Sequence, residues 1–131
     1  MARKKIQPGK GTRSQGHQRL LDLLTRLFAG FRIEEEASIQ TVVNGRHSTL
    51  FVDLCIPRLK LAFEVHGAQH YAYTPHFHGS PEQFASQQQR DRAKQAALGR
   101  IGYRLITLDS KTVSRITGPQ LLKLINREEP R

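Results

Sequence analysis

Residues 62–71 read AFEVHGAQHY, an apolar run that ends in a carboxylate and passes into two histidines, a glycine and a glutamine. The acidic residue before Glu64 is Asp53, inside the earlier run LFVDLCIP. Two carboxylates brought together at a sheet edge repel each other unless a cation lies between them. Hard oxygen ligands suit Mg²⁺, which keeps several waters and shares them with substrate phosphates. His66 follows Glu64 at a two-residue step, so both point to one face of a strand. An imidazole there can take a proton from water or lend one to a strained phosphate. Gly67 permits a sharp turn, and Gln69, His70 and Tyr71 add uncharged donors and acceptors. Two alternatives stand beside this one. Each carboxylate can pair with an arginine instead, and His66, His70, His76 and His78 offer nitrogens for zinc. Against zinc, no cysteine pair is present and the local carboxylate favours a harder ion.

The elements that must position these groups follow from the hydrophobic pattern. In SQGHQRLLDLLTRLFAGF, leucines at 20, 21, 23, 24 and 27 recur at three- and four-residue steps, which predicts a helix capped by Ser14 and stopped at Gly30. Two β-rich runs, 31–43 and 48–56, flank Asn44-Gly45, a type I′ hairpin pair. Pro57 ends the second run. KLAFEV is apolar enough for a central strand buried on both faces. A long loop, HGAQHYAYTPHFHG, leads to a helix opened by Ser80-Pro81 and stopped near Gly99. YRLITLD predicts a short strand and LLKLIN a last helix. The order is helix, three strands, helix, strand, helix: an α/β fold whose antiparallel meander extends through a helical crossover to a fourth strand in a mixed sheet flanked by helices. Whether the register sets Asp53 opposite Glu64 is left open by the short connection between their strands. On the later helix, Asp91 and Lys94 share a face. They form a solvated ion pair, or they look back on the site, with Asp91 orienting His66 or His70 and Lys94 reaching a phosphate.

At 131 residues the chain is long enough for one modest core. Its formal net charge of +10 favours polyanions. Residues 1–13 carry Arg3, Lys4, Lys5, Lys10 and Arg13 with no acidic residue, which reads as a flexible basic arm ahead of a single domain at 14–131. The arm tethers phosphates or merely solubilises. It lacks the apolar anchors a membrane surface requires, and no apolar segment approaches the roughly 20 residues of a membrane span. The lone Cys55 sits in an apolar run and reads as a small buried hydrophobe in a reducing compartment. These features point to a cytoplasmic, nucleic-acid-associated protein.

With its Asp in LFVDLCIP, its AFEVHGAQHY and its downstream QRDRAKQAALGRIGYRLITL, the chain resembles the PD-(D/E)XK, restriction-endonuclease-like nucleases. It is most similar to the very-short-patch-repair-like branch, which includes some phage homing endonucleases. The resemblance covers roughly residues 14–110. It implies a Mg²⁺- or Mn²⁺-dependent DNA endonuclease on a restriction-endonuclease-like core. Asp53 and Glu64, with the Val65 carbonyl, would be metal ligands, and His66 would occupy the place of the usual lysine. His70 would match the second histidine of the repair-type branch, with Gln69, Asp91 and Lys94 completing the catalytic set. The chain departs from the pattern in lacking that lysine and in carrying His17 where related nucleases often place a glutamate. His17, Tyr71 and Arg90, with the arm, are the expected DNA contacts, and Tyr73 and Phe77 can stack on bases. A structure-selective nuclease acting on branched DNA, as a homodimer or with a partner protein for specificity, is a second expectation. A non-catalytic DNA-binding protein of the same fold is a third.

Overall fold

The computed structural model describes residues 14–67 and 80–127. The expected basic arm and most of the loop after Gly67, including Gln69, His70, Tyr71, Tyr73, His76, Phe77 and His78, lie outside the described residues.

Helix α1 (Gln15–Leu27) begins where the Ser14 hydroxyl accepts the His17 backbone N–H at 3.1 Å, satisfying a donor that the first turn leaves open. Its leucines at 20, 23 and 24 are buried. The chain then turns at Gly30, φ 93°, into β1 (Glu34–Val43) and β2 (Arg46–Ile56), an antiparallel pair. Asn44 and Gly45 join them with φ values of 53° and 76°, both positive as a type I′ turn demands. A 3₁₀ turn at Pro57–Leu59 leads to β3 (Leu61–His66). From there the crossover helix α2 (Pro81–Arg100) carries the chain to β4 (Arg104–Asp109), parallel to β3. Two short helices follow, α3 (Ser110–Arg115) and α4 (Gly118–Asn126). The four-stranded mixed sheet runs β1-β2-β3-β4.

Helices cover both faces of the sheet. On one, Leu20, Leu23 and Leu24 of α1, Val113 of α3, and Leu121 and Ile125 of α4 close over Leu54, Ile56, Phe63, Ile106 and Leu108. On the other, Leu98 of α2 packs with Ala37, Ile39, Val52, Cys55, Ala62 and Leu105. Strand β3, paired on both sides and covered on both faces, is the central strand that KLAFEV implied. Cys55 is buried as a small core residue. Arg19 ties α1 to the end of the chain by donating to the carbonyls of Val113 at 2.7 Å and Ile116 at 2.6 Å.

Helix α2 ends at Arg100, near Gly99 as expected, and the chain reverses at Gly102, φ 89°, where the Gly102 N–H reaches the Gly99 carbonyl. One local feature differs from the sequence reading. Helix α3 was not expected, because six residues are too few to show a period. It exists because the carboxylate of Asp109, the last residue of β4, accepts the Thr112 N–H at 2.7 Å and caps it.

Candidate functional site

The site begins with an irregular rung of the sheet. Glu35 lies opposite Leu54 and Ala37 opposite Val52, so Glu36 and Asp53 occupy the position between. Both strands change sides there. Leu54 packs under α1 whereas Val52 packs under α2. Likewise Glu35 reaches His17 of α1, whereas Ala37 joins the core under α2. Glu36 accomplishes the switch in β1 with a left-handed φ of 50°, a conformation that few residues other than glycine adopt. The two side chains at this rung therefore leave the regular alternation of the strands.

Asp53 is fixed by its other neighbour. Its Oδ2 accepts the backbone N–H of Val65 at 2.9 Å. The β2–β3 ladder ends at Leu54 opposite Phe63, one residue short of Asp53 on β2 and of Glu64 on β3. Burial pushes the Asp53 carboxyl up, and the nearby Glu64 charge pushes the same way. The Val65 N–H and the charges of His17 and Lys94 only partly offset this, so the group sits above the ordinary carboxylate range.

Glu64 has the opposite fate. It is 9% exposed, and a charge so buried needs partners. Its Oε1 meets His66 Nε2 at 3.1 Å, and its Oε2 accepts from Lys94 Nζ of α2. Burial alone would raise its pKa, but the His66 and Lys94 hydrogen bonds and the Lys94 charge outweigh it, so Glu64 lies below its ordinary value. The two carboxylates are thus driven apart in proton affinity. Glu64 and His66 open onto a cleft of about 170 Å³, walled by Gln88, Asp91, Arg92 and Gln95 of α2 and by Leu105 and Thr107 of β4.

On the α1 side, Gly16 lets the helix close onto β3, since a Cβ there would stand 2.9 Å from Val65 Cγ1. That approach delivers His17 to the irregular rung. A ring nitrogen of His17 and one oxygen each of Glu36 and Asp53 lie within 4.8 Å of one another. His17 Nε2 also meets Glu35 Oε1 at 3.1 Å.

The structure therefore brings Asp53, Glu64, His66, Asp91 and Lys94 into one region around the end of β3. Lys94 and Asp91 are not merely a solvated pair: Lys94 engages Glu64, and Asp91 lines the cleft. Arg90 is exposed on α2. Glu64, expected as a metal ligand with Asp53, has its oxygens engaged by His66 and Lys94, and the carboxylate with an oxygen within 4.8 Å of those of Asp53 and His17 is Glu36. His17, expected to contact nucleic acid, is 7% exposed beside the carboxylates, so its imidazole is part of their cluster rather than of an outer surface. Glu35 and Glu36 went unrecognised because they sit in a run of three glutamates whose spacing distinguishes none of them. Only the register and the left-handed turn single them out. Chemically, one nitrogen and two carboxylate oxygens at this separation are donors for a divalent cation, next to an imidazole and an ammonium group gathered on a third carboxylate.

Among the described residues, no helix is long and apolar enough to cross a membrane. No protein-family model matches the chain. Over 55 residues, 40% of its length, it is 46% identical to the protein described as "Uncharacterized protein 307L" of Invertebrate iridescent virus 6, and it spans 28% of that protein's length.

Proposed function

We propose that the protein is a divalent-metal-dependent endonuclease that hydrolyses phosphodiester bonds in DNA, built on a restriction-endonuclease-like core. The observation that carries this reading is the meeting of Asp53, locked to the Val65 backbone, with a Glu64 whose oxygens hold His66 and Lys94. The antiparallel meander and the helical crossover to a parallel strand suit that core. The lysine missing from the strand position taken by His66 has a counterpart in Lys94, which arrives from α2 on the same carboxylate.

A bound Mg²⁺ or Mn²⁺ would neutralise the scissile phosphate and lower the pKa of the attacking water. Asp53 and Glu36 would hold the ion. His66, oriented by Glu64, takes the proton from the attacking water or positions it. Lys94 places a positive charge beside Glu64, where negative charge develops on the phosphate. Arg90 on α2 and the cations of residues 1–13 grip the backbone without reading bases.

Supercoiled plasmid and a four-way junction, each incubated with Mg²⁺, Mn²⁺ or EDTA, test the proposal. Nicked or linear plasmid in the metal lanes alone supports it. Cleavage restricted to the junction identifies the structure-selective enzyme instead. Salt-sensitive binding with no cleavage of any substrate overturns it in favour of a non-catalytic DNA-binding protein.

A further inference from the structure

We propose that His17, Glu36 and Asp53 form a mixed nitrogen–oxygen centre that prefers a first-row transition ion, Mn²⁺ or Co²⁺, over Mg²⁺, with Glu35 as the residue that positions its histidine. The inference rests on the metal site of the preceding reading, but not on its nuclease activity.

Three observations carry it. The donor atoms converge from three separate elements, α1, β1 and β2, to within 4.8 Å. One donor is an imidazole, which suits transition ions, whereas Mg²⁺ takes oxygen ligands and surrenders its waters reluctantly. That imidazole is also held in place. His17 is 93% buried by its 7% exposure, its backbone is pinned by Ser14, and its Nε2 is engaged by the Glu35 carboxylate at 3.1 Å. A carboxylate on one ring nitrogen fixes a histidine's tautomer and leaves the lone pair on the other nitrogen. Glu64 takes no part, because its oxygens are held by His66 and Lys94. The centre and the Glu64–His66–Lys94 group are neighbours with different ligand chemistry.

The test is Mn²⁺ binding to the full chain, measured by calorimetry and by electron spin-echo detection of ¹⁴N coupling to the bound ion. The wild type should bind Mn²⁺ at least about tenfold tighter than Mg²⁺ and show imidazole nitrogen coupling. His17→Gln should lose the coupling and most of the preference, while His17→Glu, an all-oxygen set, should bring the two ions toward equal affinity. Glu35→Gln should weaken Mn²⁺ by about tenfold with the coupling retained. Glu36→Gln, altered at an exposed position that folding tolerates, should weaken Mn²⁺ binding. Mn²⁺ affinity and spectra unchanged in both His17→Gln and Glu36→Gln would overturn the inference. If Asp53→Asn still abolished binding in that case, the metal-dependent reading would survive it. No Mn²⁺ or Mg²⁺ binding by the wild type would overturn both.

Discussion

The carboxylate of Asp53 accepts a hydrogen bond from the backbone N–H of Val65 at 2.9 Å. A side chain of β2 thus stands in for the main-chain acceptor that the neighbouring strand would otherwise supply. This binds the position of an ionisable group to the geometry of the sheet, and its cost depends on whether a cation is present.

Asp53→Asn should therefore stabilise the metal-free protein. The amide oxygen can still accept from Val65, but no buried charge remains. Because the folded carboxyl titrates above its ordinary value of 3.8, the native state holds the proton more tightly than the unfolded chain. Its ionisation lowers stability as pH rises through the folded value toward neutrality. In EDTA at pH 7 the variant should be more stable than the wild type, and the gain should shrink as pH falls toward 4. Thermal melts across pH check it. Adding Mn²⁺ should raise the melting temperature of the wild type only.

Lys94→Met should act in the opposite sense. Glu64 titrates below its ordinary 4.5 because burial is outweighed by His66 and Lys94. Its contribution to stability is present above 4.5 and lost as pH falls through the folded value. Without Lys94 a nearly buried carboxylate is left with His66 alone, and unfolding free energy at pH 7 should drop by about 1–3 kcal/mol. The deficit should narrow on acidification, as urea titrations at pH 4 and 7 can show.

Glu36→Gly should separate backbone from ligand. Glycine adopts the left-handed φ of 50° at less cost than glutamate, by about 1 kcal/mol. In EDTA the variant should melt at or above the wild type, yet gain less from Mn²⁺. A variant that melts well below wild type in EDTA would show that the turn at this rung depends on the Glu36 side chain.

Gly16→Ala should disturb the same centre from the helix side. The added methyl meets Val65 Cγ1 at 2.9 Å, so α1 must lift or Val65 must turn. Overpacking of this kind costs about 1–3 kcal/mol, against a helix-propensity gain of about 1 kcal/mol. Stability should fall slightly, and Mn²⁺ affinity should fall with it as His17 moves away from Asp53.

Much of this architecture was legible in the sequence because local chemistry determines it. Asn44-Gly45 specifies its turn, Ser14 and Ser80 cap their helices, and KLAFEV is apolar enough for a strand buried on both sides. Asp53, Glu64 and His66 stood out by type and spacing. What was not legible arises from tertiary contact. Nothing local marks Glu36 for a left-handed turn, since the reason for it is a change of face shared with Asp53 on another strand. The burial of His17 depends on Gly16 meeting Val65, and the destination of Lys94 depends on how α2 crosses the sheet. Helix α3 depends on a cap supplied by the end of a strand.

The central claim, that the carboxylates at the end of β2 and β3 serve metal-dependent cleavage of DNA, is tested most directly by comparing wild type, Asp53→Ala and Glu64→Ala on supercoiled plasmid in Mn²⁺, with DNA binding measured in EDTA. The account predicts a loss of cleavage of at least about a hundredfold in each variant, with binding in EDTA near the wild-type level. Cleavage by Asp53→Ala at the wild-type rate would contradict it.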